Sequence, residues 1–168
     1  MLFPKAMERS AYDVDYEKLY SIGYRGIIFD IDNTLVEHGA PANARAIELF
    51  NRLKALGFKI CLLSNNKEER VKMFNEDVNV FYIYKAGKPL RKGYVSAMKI
   101  METDTTNTVS IGDQIFTDTV GANNAGINSI LVGRIANHEE IQIVLKRFLE
   151  FFVLLFYKIS GKHKKKFY

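Results

Sequence analysis

At 168 residues, 48% hydrophobic and 26% charged, the chain has the size and balance of one soluble globular domain, and no apolar run approaches the roughly 20 residues of a membrane-spanning helix. A lone cysteine, Cys61, excludes an internal disulfide and fits a reducing compartment, and no secretory apolar stretch opens the chain, so the expected location is the cytoplasm. The net charge of +5 sits in the tail: residues 141–168 carry seven Lys or Arg against one acid, Glu150, which leaves the other 140 residues at −1.

Residues 13–20 read as a short helix, with Gly23 in the break before a strand over 25–29. Pro41 suits the first turn of a helix that presents Ile47, Phe50, Leu53 and Leu56 on one face and stops at Gly57. A strand over 58–63 follows. Asn65 with Glu68 three residues on approximates a capping box, predicting a helix to about Phe74, and residues 80–83 form a third strand. Pro89 opens a helix through Met101, residues 109–111 form a fourth strand, and a turn and helix lead from Gln114 towards Gly126. Residues 128–132 are the fifth strand. Such alternation predicts an α/β fold: a doubly wound, Rossmann-like parallel sheet of about five strands with helices on both faces. This domain should span residues 1–136, with an amphipathic helix and basic tail over 137–168.

In a doubly wound sheet the ligand site lies beyond the carboxyl ends of the strands. The residues there are Asp30 and Asp32, Ser64 and Asn65, Lys88, and Asp113 with Asp118 five positions later. Carboxylates, a hydroxyl beside a helix start and an ammonium group are the inventory for phosphate and Mg²⁺. Phosphoryl transfer needs an in-line nucleophile, cations to neutralise the equatorial oxygens, and a proton donor for the leaving oxygen. Asp30 is the candidate nucleophile and Asp32 the candidate acid. Asp113 would complete an octahedral oxygen shell with Asp30, the backbone carbonyl of Asp32, water and substrate, while Asp118 would orient that shell or Lys88. Taken singly these residues are ordinary turn acids, helix caps and surface charges. His38, His138 and His163 have no ligand-like spacing and read as structural or exposed.

The constellation resembles the haloacid dehalogenase superfamily of phosphatases, whose four motifs match in order between Gly26 and Val132. Asp30-Ile31-Asp32-Asn33-Thr34 is similar to motif I, Ser64-Asn65 to motif II, Lys88 in Gly87-Lys88-Pro89 to motif III, and the stretch from Gly112-Asp113 through Asp118 to motif IV. The resemblance implies that Asp30 becomes phosphorylated and that Asp32 protonates the leaving group and then activates water. It further implies that Ser64, with Asn65 beside it, and Lys88 hold the transferring phosphoryl, and that Asp30, Asp32 and Asp113 hold Mg²⁺ with Thr34 and Asp118 in support. Finer similarity, in Ser64-Asn65-Asn66-Lys67-Glu68-Glu69-Arg70 and Lys88-Pro89-Leu90-Arg91, resembles the bacterial subfamily IIIA. Members of that group are similar to phosphatidylglycerophosphate phosphatases, so a phosphorylated lipid headgroup is the first substrate expectation. Residues 34–41 and 64–88 leave no room for an inserted cap domain, so the site is expected to be open and to take bulky or surface-displayed substrates.

The tail places Ile141, Val144, Leu145, Phe148, Phe152, Leu155, Phe156 and Ile159 at helical spacing, flanked by Lys146, Arg147 and Lys158. Its readings are a helix packed on its own sheet or on a second copy of the chain, a peripheral contact with an anionic membrane, and, least favoured, contact with nucleic acid. Two rival functions stand beside the lipid phosphatase. One is a phosphatase of nucleic-acid or nucleotide ends. The other is a non-catalytic regulatory domain that binds Mg²⁺ or accepts a phosphoryl group, against which Asp32 argues, because a proton relay there should hasten hydrolysis of the acyl phosphate.

Overall fold

The computed structural model describes residues 2–135, 150–157, 159 and 167. Strand and helix alternate through β1 (Ala6–Glu8), a 3-10 turn (Ala11–Asp13), α1 (Tyr16–Ser21), β2 (Gly26–Phe29), α2 (Ala44–Leu56), β3 (Lys59–Leu63) and α3 (Glu68–Val78). There follow β4 (Phe81–Ile83), α4 (Arg91–Met101), β5 (Thr108–Gly112), a single π-helical turn (Ile115–Thr119), α5 (Val120–Ala125) and β6 (Asn128–Val132). Residues 150–157 form a last helix, α6.

All strand pairs are parallel, in the order β1-β6-β5-β2-β3-β4. Side chains alternate across a strand, and the core divides accordingly. Ile27 and Phe29 of β2, Ile60 and Leu62 of β3, and Val109 and Ile111 of β5 pack in one layer with Leu19 of α1, Phe50 and Leu53 of α2, and Val71 and Phe74 of α3. Ile28, Cys61 and Leu63 face the other way, onto Tyr94, Ala97, Met98 and Met101 of α4 and Ala122 and Ala125 of α5. Phe50 centres the first layer, its ring 5.4 Å from Phe29 and 6.0 Å from Phe74. Each fully buried side chain of this size contributes about 1.5–3 kcal/mol of transfer free energy. The Cys61 thiol belongs to this packing, and burial pushes its pKa up to about 12.

The sheet has one strand more than expected. Ala6–Glu8 pairs with Ile130–Val132 at the sheet edge. The first helix is a 3-10 turn followed by α1, with Ser10 and Asp15 as side-chain caps. Helix starts also differ. α2 begins at Ala44, because the Asn43 side chain accepts the Ala46 amide and caps there; Pro41 lies before the helix. α4 begins at Arg91, two residues after Pro89. α3 begins at Glu68 with no side-chain cap on Lys67, and Asn65 is not its cap.

Much of the predicted C-terminal stripe, Ile141, Val144, Leu145 and Phe148, lies outside the described residues, as do His138, His163 and the tail lysines. In α6 the stripe faces away from the domain: Phe152, Leu155 and Phe156 are exposed, whereas Glu150 and Tyr157 are buried. The Tyr157 ring packs 5.4 Å from Phe3. No helix among the described residues is long and apolar enough to cross a membrane.

Candidate active site

Parallel register brings the carboxyl ends of β2, β3 and β5 level. Phe29 stands beside both Leu62 and Ile111, and the Asp30 amide donates to the Ile111 carbonyl at 3.0 Å. Beyond Phe29 the chain leaves the sheet in a tight turn. The Ile31 carbonyl accepts from Leu35 N at 2.9 Å, and Asn33 sits at φ 64°, a left-handed conformation that asparagine tolerates better than most residues. This turn aims Asp30 and Asp32 to different sides.

Asp30 points into a buried cluster. Lys88 Nζ lies 2.5 Å from Asp30 Oδ1 and 2.7 Å from Asp118 Oδ1, and its side chain is 5% exposed. Asn65 fixes the lysine's backbone at two points: its Oδ1 accepts Lys88 N at 2.7 Å and its Nδ2 donates to Lys88 O at 3.1 Å. Asp118 is aimed by the π-helical turn, where its Oδ2 accepts the Gln114 amide at 3.1 Å. Its carboxyl lies where a Cβ at residue 112 would stand, so only Gly112 fits there. Thr34 Oγ1 lies 3.1 Å from Asp30 Oδ2 and 3.2 Å from Asp113 Oδ1.

One carboxylate oxygen from each of Asp30, Asp113 and Asp118 lies within 4.8 Å of the others, a spacing that can hold one metal ion. An all-carboxylate donor set suits a hard divalent cation. Burial raises the Asp30 pKa, Lys88 opposes this and Asp118 adds to it, leaving the carboxyl at about 6. Burial disfavours the Lys88 charge, yet Asp118 and Asp30 outweigh it and hold its pKa well above the ordinary value. Asp30 and Asp118 thus share the one Lys88 ammonium, in the same cluster as Asp113.

Of the expected residues, Asp30, Thr34, Lys88, Asp113 and Asp118 meet in one cluster, with Asn65 bound to the Lys88 backbone. Asp118, expected in support, stands in the acidic cluster itself. The Asp32 side chain is outside that cluster: its Oδ1 accepts from Arg70 Nη2 at 2.9 Å, Arg70 Nε at 3.2 Å and Gly39 N at 2.8 Å, and its Oδ2 accepts from Asn66 Nδ2 at 2.7 Å. Ser64 follows β3, is buried, and accepts the Asn66 amide on its hydroxyl at 3.1 Å. His38 is half exposed, with Nδ1 3.7 Å from Asp32 Oδ1. Only a loop lies between Thr34 and α2, and only α3 and β4 lie between Ser64 and Lys88, so among the described residues neither connection carries an inserted domain.

Glu150 was not foreseen as a neighbour of this site. It is 5% exposed, and its Oε1 accepts Ile115 N at 2.7 Å and Phe116 N at 3.4 Å, amides at the start of the turn that carries Asp118. A carboxylate at such donors satisfies groups that a helix start otherwise leaves unpaired. Glu150→Ala should therefore lower stability by about 1–3 kcal/mol, the effect of stranding a buried donor, as read in thermal denaturation.

The profile of the HAD-hydrolase-like family matches residues 85–142. Over 137 residues the chain is 41% identical to "Probable phosphatase YqeG" of Bacillus subtilis (strain 168), covering 81% of this chain and 80% of that protein. Among solved structures, an uncharacterized protein from Listeria monocytogenes serotype 4b superposes with a TM-score of 0.55 at 19% identity, over 69% of this chain and 84% of that one. The cobalt-bound deoxy-D-mannose-octulosonate 8-phosphate phosphatase YrbI of Haemophilus influenzae superposes with a TM-score of 0.51 at 12% identity, over 67% and 80%. The two structures share the fold. Kinship rests on the Bacillus relative, whose match covers four fifths of both chains, and with the family profile it shows that the chain belongs to the haloacid dehalogenase-like family of phosphatases.

Proposed function

We propose that the chain is a Mg²⁺-dependent phosphomonoester hydrolase that works through an aspartyl-phosphate at Asp30, with a phosphorylated lipid such as phosphatidylglycerophosphate as first substrate. The observation that carries this reading is the Lys88 ammonium between Asp30 and Asp118, with Asp113 completing an acidic triad beside it. In the first half-reaction an Asp30 oxygen attacks phosphorus, the bond from phosphorus to the ester oxygen breaks, and Asp32 gives its proton to that oxygen. In the second, Asp32 takes a proton from water, the water oxygen attacks the acyl phosphate, and inorganic phosphate leaves with Asp30 regenerated. Lys88 neutralises charge on the transferring group, and the Ser64 hydroxyl donates to one of its oxygens. Mg²⁺, held by Asp30, Asp113 and Asp118, would supply further neutralisation of the phosphoryl oxygens.

Three features support a lipid substrate. Among the described residues no inserted domain lies over the site. The motifs resemble subfamily IIIA. α6 exposes Phe151, Phe152, Leu155 and Phe156, and the sequence that follows it is strongly basic, a combination that suits the surface of an anionic membrane, where each basic residue adds roughly 1 kcal/mol. The test is a hydrolysis panel with full-length protein, comparing phosphatidylglycerophosphate in anionic vesicles with soluble phosphomonoesters and 5′-phosphorylated oligonucleotides, each with Mg²⁺ and with EDTA. Preference for the vesicles, lost in EDTA, supports the proposal. Preference for oligonucleotides, falling steeply with salt, would replace the substrate assignment.

Cation binding should be linked to pH through Asp30. With its carboxyl raised to about 6, a proton competes with the cation below that pH and is absent above it. The Mg²⁺ dissociation constant should be flat above this value and rise by about tenfold per pH unit below it, the slope for one displaced proton. Isothermal titration at several pH values reads both the slope and its onset.

A further inference from the structure

None of the four motifs gives Arg70 a task, yet it makes the closest charged contact to the proposed acid, 2.9 Å from Asp32 Oδ1. Both side chains are nearly buried, Arg70 at 12% exposed and Asp32 at 11%, so this is not a solvated surface pair of little consequence. The contact joins α3 to the loop after β2, elements that the sheet places side by side through β3.

The geometry points to Arg70 as a positioning residue for proton transfer, an inference that rests on the proposed role of Asp32. Asp32 Oδ1 accepts three N–H bonds, two from the Arg70 guanidinium and one from Gly39, whereas Oδ2 accepts one, from Asn66. A carboxyl oxygen with three donors has no room for a proton, so the transferable proton sits on Oδ2. Arg70 anchors Oδ1 with two charge-assisted bonds while Asn66 holds Oδ2, and the two separate anchors together fix the torsion of the carboxyl. Arg70 thereby selects which oxygen delivers the proton and holds it towards the leaving group. Asn66 completes the device by marking where Oδ2 stands.

A purely structural ion pair would fasten α3 to the loop and affect all substrates alike. A proton-positioning pair acts according to how much the leaving group needs the proton. Alkoxides are poor leaving groups and need it, whereas 2,4-dinitrophenolate leaves without it. The experiment compares kcat/KM, which reports leaving-group departure, for an alkyl phosphate such as glycerol 3-phosphate and for 2,4-dinitrophenyl phosphate. Asp32→Asn calibrates the test and should lose about 10²–10⁴-fold on the alkyl ester and far less on the aryl ester. Arg70→Met should show the same asymmetry at about 10–10²-fold, and the double variant should lose little beyond Asp32→Asn alone. Arg70→Lys, which keeps the charge but not the two-point contact, should recover part of the loss and show the same asymmetry, and it carries the test if Arg70→Met does not fold. Equal loss on both esters, or none, in the Arg70 variants while Asp32→Asn is asymmetric would overturn the inference. If Asp32→Asn itself loses equally on both, the acid assignment fails instead.

Discussion

Asp30→Asn is expected to reduce turnover of any phosphomonoester by a factor on the order of 10⁴ or more, because an amide oxygen cannot form the acyl phosphate. The substitution changes shape very little and leaves an oxygen for the Thr34 hydroxyl, which lies 3.1 Å from Asp30 Oδ2. Loss of activity can also be separated from loss of folding. The Asp30 pKa is raised by burial to about 6, so the folded chain favours the protonated form. The associated stability is present at low pH and is lost as pH rises through about 6. Asparagine stays neutral throughout. At pH 7 without divalent cation, the variant should therefore melt no lower than the parent, while at pH 4 the two should converge. An Asp30→Asn protein that still turns over an aryl phosphate at the parental rate in Mg²⁺ would remove the nucleophile assignment.

The parts that were legible in the sequence are those that burial makes unambiguous. β2, β3 and β5 are covered on both faces, so they read as short apolar runs, and the acids after them follow from the rule that ligands meet the carboxyl ends of parallel strands. β1 escapes that logic. It has three residues, lies at the sheet edge and is only partly buried, so its apolar content carries no pattern. Proline was misleading at two helix starts, since Pro41 and Pro89 both lie in the connection before the helix. Asn65 was misread for a different reason. Its composition fits a cap, but its amide is used across 23 positions to grip the Lys88 backbone. Arg70 with Asp32, separated by 38 positions, and Glu150 with Ile115, separated by 35, are tertiary pairs that no local periodicity encodes.

Lys88→Met should show the second large effect, and the direction of its cation dependence is the informative part. Removing the ammonium takes away a donor aimed at the transferring phosphoryl, for which a loss on the order of 10²–10³ in kcat is expected. It also leaves Asp30 and Asp118 facing each other without their shared counterion, in a pocket where the lysine itself is only 5% exposed. At pH 8 without divalent cation, stranding those charges should destabilise the fold by about 3–5 kcal/mol. The loss should shrink towards pH 5, as Asp30, whose carboxyl is raised to about 6 by burial, takes up a proton and no longer needs the ammonium. Mg²⁺ should restore much of the stability, because the same oxygens that held Lys88 belong to the triad that can hold a metal, and with one positive charge gone the cation should bind more tightly than in the parent. Thermal denaturation with and without Mg²⁺ reads this directly: a larger Mg²⁺-induced shift in the variant, with activity still low, is the expected pair of results. An unchanged melting temperature without cation, or a Mg²⁺ shift no larger than that of the parent, would mean that Lys88 and the metal do not share Asp30 and Asp118, and the proposed site would have to be drawn elsewhere.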